Sequence, residues 1–378
     1  MLKKISVQGF KSIERQSIEL GALNVLVGAN GSGKSNLLSA LSFFRTSALG
    51  GLDALVKRLG GADRILHHGK KTTKSCFFSC EEDQFSYEQT LIPVAGDSLE
   101  VVKEKLDILG AETECLEAGG DIASLEDDLR DDEKRYLKEC VEQGGMTREE
   151  ADEELEMYPS AKHHIENWRR YHLHDTSATS AIKSTCNVDD NRVLREDASN
   201  LAAYLYWLKL KDPFAYQRIT SIINLAIPYF DDFVLAPLRQ NERMIRLEWK
   251  QKNSDAYFDA DSLSDGSLRF IALMTLLNQP DWVMPSLIVI DEPELGLHPF
   301  VLRLLAEMLE SASKKTQIII ATQSVTLLDD FPIDAVIVAD HDGRGSQFRR
   351  LRADDYAAWL DDFSVGELWL KNVIGGRP

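Results

Sequence analysis

The chain has 378 residues, of which 44% are hydrophobic and 28% charged, and carries a net charge of −18 at neutral pH. This is the composition of a water-soluble globular protein, long enough for one large domain or two ordinary ones. Its acidity excludes a surface coated uniformly for nucleic acid but leaves room for a local basic groove.

No stretch has the apolar length needed to cross a bilayer, and the first residues lack the apolar core of a secretory leader, so a cytoplasmic protein is expected. The five cysteines, Cys76, Cys80, Cys115, Cys140 and Cys186, are scattered without a zinc-like second pair and read as free thiols.

In chain order, residues 4–8 alternate as a strand does, and 17–20 and 23–27 follow as further strands. The run Gly28-Ala29-Asn30-Gly31-Ser32-Gly33-Lys34-Ser35 then fits G-x-x-x-x-G-K-[ST] without a mismatch. Glycines let backbone N–H groups close around phosphate oxygens. The Lys34 ammonium suits the β and γ phosphates of a nucleoside triphosphate, and the Ser35 hydroxyl suits Mg²⁺. An apolar helical run, 36–44, leaves the loop, so a helix N-terminus points at the phosphates.

Residues 75–78 and 85–92 read as a strand pair. From 98 to 171 the chain turns charged and is broken by Gly119-Gly120 and Gly144-Gly145, which predicts several short helices. The acidic runs 125–133 and 149–154 read as solvated helix faces. Helices are expected at 200–210 and 214–226, and strands at 233–236, 244–249 and 257–258. The last third alternates: helix 268–277, apolar strand 287–290, helix 301–309, strands 317–321 and 335–339. Such alternation implies right-handed crossovers and a mostly parallel sheet covered by helices.

Three later motifs bear on the same site. Asp291 and Glu292 end the apolar strand; Asp291 is placed to hold the water shell of Mg²⁺, and Glu292 to orient an attacking water. Ser264-Asp265-Gly266-Ser267 opens the preceding helix, with Ser264 as N-cap and Gly266 allowing backbone to approach an anion. Gln323 follows the next strand and can sense the γ phosphate or hold the water. His172, His174 and Asp175, with His163 and His164 near by, allow a cation site, but a hydrogen-bonded turn is the preferred reading. Trp168-Arg169-Arg170 can be read as a small nucleic-acid contact or as a helix surface, the latter preferred.

These motifs together carry a resemblance. Phe10-Lys11-Ser12, the phosphate loop, a helical insertion, Leu263-Ser264-Asp265-Gly266, the stretch Asp291-Glu292-Pro293-Glu294-Leu295-Gly296-Leu297-His298-Pro299, Ala321-Thr322-Gln323-Ser324 and the tail from Gly366 to Pro378 stand in a telling order. The chain resembles the ABC-type ATPases of the RecF, SMC and OLD group, specifically stand-alone RecF-like AAA ATPases. The resemblance implies an α/β fold, an ABC-type P-loop ATPase head with a mixed-sheet lobe, a parallel-sheet lobe and a helical insertion. It divides the chain into 1–97, the head's N-terminal part, 98–198, the acidic insertion, and 199–378, the head's C-terminal part.

It further implies that two heads sandwich two ATP molecules with Mg²⁺. In that arrangement Lys11, Asn30, Gly31, Ser32, Gly33, Lys34, Ser35 and Asn36 bind nucleotide, Ser35 and Asp291 serve the metal, and Glu292, Gln323 and Lys34 serve catalysis. Ser264, Asp265, Gly266 and Ser267 then reach the γ phosphate held by the other copy, and Leu297 and His298 fall on the subunit-crossing loop. Asp265 and Ser267 depart from the glycine and glutamine of the family's signature loop, and Gln323 stands where many relatives have histidine; the departures bear on the hydrolysis rate. For the glutamine expected before the insertion, Gln84 and Gln89 are candidates and neither is assigned.

Too few residues follow Ser324 for an appended nuclease domain, Asp340-His341-Asp342 reads as a strand-end turn, and no long coiled-coil arm is foreseen. The expected function is an ATP-hydrolysing head that dimerises on ATP and works on DNA or with a DNA-processing partner, in genome maintenance or anti-phage defence. The alternative is an ATP-gated scaffold that holds a nuclease or toxin with little turnover. A membrane-docked transporter ATPase is disfavoured.

Overall fold

The computed structural model describes residues 1–108, 114–116, 160–177 and 179–377, with 122, 125–127, 135, 138, 141 and 147. Among them the first strands are β1 (Lys4–Phe10), β2 (Ile13–Glu19) and β3 (Leu23–Val27). Helices α1 (Lys34–Ala48) and α2 (Leu52–Leu59) follow, then the single turns α3 (Ala62–Ile65) and α4 (Gly69–Thr72). Strands β4 (Cys76–Glu81), β5 (Phe85–Val94), β6 (Ser98–Ile108) and β7 (Glu114–Leu116) come next, then α5 (Ala161–Glu166) and β8 (Trp168–Tyr171). After the short β9 (Cys186–Asn187), helices α6 (Leu201–Lys211) and α7 (Pro213–Ala226) lead to four short strands, β10 (Phe230–Phe233), β11 (Met244–Ile245), β12 (Glu248–Gln251) and β13 (Tyr257–Asp259). The chain then runs α8 (Asp265–Leu277), β14 (Leu287–Asp291), α9 (Pro299–Ser313), β15 (Gln317–Thr322), α10 (Val325–Leu328), β16 (Val336–His341), β17 (Ser346–Arg350), α11 (Ala353–Leu360) and α12 (Val365–Leu370).

Two six-stranded sheets organise these elements. One is antiparallel, in the order β2-β1-β4-β5-β6-β7. The other runs β17-β16-β3-β15-β14-β8 and is parallel except for β17. Each of the five residues of β3 and the six of β15 is buried, as expected of strands covered on both faces.

Helix α1 lies between the sheets. Its Phe43 and Phe44 pack against Phe10, Phe78 and Tyr87 of the antiparallel sheet, with ring centroids 5.3–5.6 Å apart. The same core takes in Leu26, Leu287, Val289 and Ile319 from one face of the parallel sheet. The other face, with Val25, Ile288, Ile290 and Ile320, packs on α6, α7, α8 and α9.

Several elements differ from the sequence expectation. Residues 98–108, expected to be helical, form β6, paired along its length with β5. Leu106 and Ile108 face the core while Glu100 and Lys103 face out, so much of the charged composition is the outer row of a strand, with Glu104 buried among hydrogen-bond partners. Residues 168–171 are likewise a strand, because Leu287–Ile290 offers a parallel edge to pair with. The strand expected at 233–236 lies at Phe230–Phe233, and 244–249 divides into β11 and β12. Apart from 125–127, the acidic runs 125–133 and 149–154 fall outside the described residues.

Gln317 joins the two sheets. It is buried, accepts from the Leu2 N–H at 3.0 Å, and donates to the carbonyls of Leu2 and Gly21, both at 2.7 Å. Removing it leaves the buried Leu2 N–H and C=O without that partner, while the Gly21 carbonyl keeps the Asn24 amide. Gln317→Ala is therefore expected to cost about 1–3 kcal/mol, read as a lower denaturant midpoint; a variant as stable as the parent would contradict this role.

Candidate functional site

Parallel pairing aligns the C-terminal ends of four strands. Val27 is level with Thr322, Ala321 with Asp291, and Ile290 with Tyr171. Gly28, Gln323, Glu292 and His172 therefore leave the sheet at one edge, where ligands of open α/β sheets bind.

The loop from Gly28 to Gly33 enters α1 through Gly33, whose φ of 103° suits glycine. A Cβ there would overlap the Ser346 hydroxyl, so the tight approach of β17 also demands glycine. The Lys34 side chain is folded back into the loop. Its Nζ donates to the carbonyls of Gly28 at 2.6 Å and Ala29 at 2.9 Å. Burial lowers the pKa of this ammonium, while the carboxylates of Glu292, Asp291 and Glu294 pull it back up. The Ser32 hydroxyl is buried with no hydrogen-bond partner, whereas Asn30, Gly31 and Ser35 are exposed. Asn36 donates to the Ser12 hydroxyl at 2.7 Å, and Ser12 bonds Ser346, so β1, α1 and β17 brace the loop together. Lys11 stands at the β1–β2 turn with φ 47°, its ammonium 5.4 Å from the Phe10 ring centroid.

Across the edge, Asp291 ends β14 and Glu292 adopts φ 44°, a left-handed conformation that costs a non-glycine residue on the order of 1–3 kcal/mol. Gln323 Nε2 donates to Glu292 Oε1 at 2.7 Å. Glu294 Oε1 accepts from the Thr322 hydroxyl at 2.6 Å and the Gln323 N–H at 3.0 Å, and burial raises its carboxyl pKa. Arg170 of β8 reaches Asp291 Oδ2 at 3.4 Å and the Ser39 hydroxyl at 3.1 Å. The sequence carried no signal for Arg170 at this place, because only tertiary pairing of β8 with β14 brings it there. Glu294 was within the quoted motif, but its role in holding the Gln323 segment depends on the β14–β15 register.

The Ser264 hydroxyl caps α8 by accepting from the Ser267 N–H at 3.1 Å. Gly266 lies so close to the Gly296 carbonyl that a Cβ would overlap it. Buried Arg269, one turn on, donates to the carbonyls of Leu173 at 2.8 Å, His174 at 3.1 Å and Leu295. Asp265 is exposed, 3.7 Å from Lys183. Among the described residues no hydrogen bond or ion pair joins Ser264–Ser267 to the 28–35 loop.

Gln89 is buried in the antiparallel sheet, bonded to Glu104, and Gln84 lies in the β4–β5 turn; neither reaches the strand-end edge. His172 occupies that edge instead. Asp175 accepts from the Ser177 N–H and hydroxyl, which makes the 172–177 segment a hydrogen-bonded turn.

Comparison with known proteins agrees with this fold. Residues 1–193 match the model of the AAA ATPase domain, and residues 127–329 match that of the AAA domain described as a putative AbiEii toxin of a type IV toxin–antitoxin system. The chain is 37% identical over 105 residues to the uncharacterized protein MJECL44 of Methanocaldococcus jannaschii, covering 27% of this chain and 30% of that protein. It is 29% identical over 157 residues to the DNA double-strand break repair Rad50 ATPase of Sulfurisphaera tokodaii, covering 36% of this chain and 18% of that one. The chain thus spans less than a third of the length of either relative. In fold it is similar to an SMC head bound to the C-terminal winged-helix domain of ScpA, with a TM-score of 0.59 at 16% identity over 94% of this chain and 99% of that one. An SMC head from Pyrococcus furiosus, with an extended coiled coil, gives 0.55 at 15% identity over 96% and 98%. No helix among the described residues is long and apolar enough to cross a membrane. With its phosphate loop, its Asp-Glu strand end and its SMC-head fold, the chain belongs to the AAA ATPase domain family and is a RecF/SMC-like ABC-type ATPase.

Proposed function

We propose that the chain is an ATP-binding and ATP-hydrolysing head that closes on ATP with a second copy and couples that cycle to DNA or a DNA-processing partner. The observation that carries it is the strand-end edge, where Lys34, Asp291, Glu292 and Gln323 converge. In this reading Lys34 gives up the carbonyls of Gly28 and Ala29 for phosphate oxygens, and the unpartnered Ser32 hydroxyl gains an acceptor. Lys11, Asn30, Gly31, Gly33 and Asn36 complete the nucleotide cradle.

The donor set fits Mg²⁺. The Ser35 hydroxyl is exposed, and Asp291 is a hard oxygen ligand that already attracts a cation, the Arg170 guanidinium. The metal would neutralise charge developing on the transferred phosphoryl group. Glu292, in its left-handed conformation and bonded to Gln323, is poised to orient the attacking water. Glu294 holds Gln323 for this task from behind.

Closure in trans supplies the helix N-terminus of Ser264, Asp265, Gly266 and Ser267 to the other copy's γ phosphate. Exposed Leu295 and Phe300 flank Leu297 and His298 and supply apolar surface for such a contact. The similarity to a Rad50 ATPase named for DNA double-strand break repair supports the DNA step. A second reading, a scaffold that holds a nuclease or toxin with little turnover, is favoured by Asp265, because a carboxylate at that helix N-terminus opposes an incoming phosphate. The cytoplasm is the compartment either role needs.

Lys34→Ala should abolish nucleotide binding in a calorimetric titration, while Glu292→Gln should keep ATP and elute as a dimer on size exclusion. A Glu292→Gln chain that stays monomeric with ATP bound would sink the paired-head reading. Glu294→Ala should lower stability by about 1–3 kcal/mol, since the Thr322 hydroxyl and Gln323 N–H lose their acceptor, and Glu294→Gln should recover most of it. Equal losses in the two variants would show that the acceptor oxygen is not what matters.

A further inference from the structure

A second concave site lies along α1, leading away from the phosphate loop. This cavity of about 600 Å³ runs between α1, α2 and β8. Lys11, Arg45, Arg58, Arg169 and Arg170 line it, against the single carboxylate of Glu196. A neighbouring cavity of about 460 Å³ shares Arg169, His172 and Glu196 with it and adds Arg195, itself paired with Asp190, and Asp197. Such a concentration of positive charge stands out in a chain of net charge −18.

Of these cations, Arg170 pairs with Asp291. Among the described residues, Lys11, Arg45, Arg58 and Arg169 take part in no ion pair. Arg45 and Arg169 both donate to the Glu166 backbone carbonyl, and Arg169 donates to that of Trp168 as well. Burial and the nearby Arg170 lower the Lys11 pKa, and burial and Arg169 lower that of Arg45 against the opposing pull of the Glu196 and Glu166 carboxylates. Like charges gathered in a half-enclosed cleft are costly unless an anion joins them.

The nucleotide of the phosphate loop engages Lys11 at one end of the cleft but does not account for the arginines beyond it. Arg45 is ten residues beyond Ser35 on α1, about 15 Å along the helix at the usual rise. Arg58 comes from α2, which follows α1. The cleft is of ligand size, far too small for a duplex. Its extension into the neighbouring cavity suits a chain passing through rather than a compact molecule. Exposed His172, shared by both cavities, offers a ring face on which a base can stack.

We infer that this cleft binds the phosphate backbone of single-stranded nucleic acid, seating one or two nucleotides between α1, α2 and β8. The inference rests on the DNA reading proposed above and gives that reading a place. It is adjacent to the ATP site, because Arg170 lines the cleft and also bonds Asp291.

The test uses the full chain without ATP and follows the fluorescence anisotropy of a labelled oligothymidylate across a salt series. The parent should bind, and Arg58→Glu with Arg169→Glu should weaken binding by at least about tenfold and reduce the salt slope by roughly 1.4, the value for two lost single-strand phosphate contacts. Arg58→Glu alone, at an exposed position with no hydrogen bond or ion pair among the described residues, should show about half of that slope change. Lys57→Glu with Lys103→Glu, the same change of charge outside the cleft, should leave affinity within about threefold. Cleft variants that bind as tightly as the parent would overturn the site while leaving DNA binding intact. A parent that binds no oligonucleotide would overturn both the cleft and the DNA step, yet leave the nucleotide-binding result for Lys34→Ala untouched. Displacement of the oligonucleotide by equimolar thymidine monophosphate would assign the cleft to free nucleotides and overturn the strand.

Discussion

The parallel pairing of β3 with β15 and β15 with β14 is the constraint on which the rest depends. Buried on both faces, these strands resist slipping, since a one-residue shift would exchange the side chains packed into the two cores. Their register fixes which residues emerge together at the C-terminal edge. Lys34 follows the end of β3, Asp291 and Glu292 end β14, and Gln323 follows β15. The phosphate loop and Gln323, nearly 300 residues apart in sequence, are brought to one edge by this ladder.

Around that edge, charge is balanced by local substitutes. Lys34 leans on loop carbonyls, and Asp291 leans on the Arg170 guanidinium. Both contacts are exchangeable for those a magnesium-bound triphosphate offers, at little net cost because each polar group stays satisfied before and after. The anchors behind them have no such exchange. Glu294, Arg269 and Ser346 are bonded to groups of the chain itself, and they hold the Gln323 segment, the Leu295 turn and the phosphate loop in place. The division between exchangeable and fixed contacts matches a site that binds, acts and releases.

Much of this was legible in the sequence, for identifiable reasons. The phosphate loop, the Asp-Glu strand end and the Ser264 cap are local patterns whose chemistry depends on adjacent residues. The parallel strands announced themselves as unbroken apolar runs. Residues 98–108 misled because their outward row is rich in Glu and Lys, and composition outweighed the period-two burial of Leu106 and Ile108. Trp168–Tyr171 misled because four residues are too few to show a period, and the strand pairs with β14 alone among the described strands. The contributions of Arg170, Arg269 and Ser346 are long-range, and no spacing rule reaches across such separations. Of the two candidates for the glutamine before the insertion, Gln89 lies within β5 of the antiparallel sheet and Gln84 in the turn that precedes it.

Whether the phosphate loop of one copy is completed by the Ser264 segment of another is open to a mixing experiment. Two chains are prepared, Lys34→Ala and Ser264→Arg, each expected to be without ATP turnover by itself. In a mixed pair, one composite site carries both lesions and the other carries neither. Shared sites therefore predict that phosphate release returns on mixing, to about one quarter of the parent rate for random pairing of equal amounts. A mixture that forms mixed pairs yet stays inactive would contradict a site divided between copies.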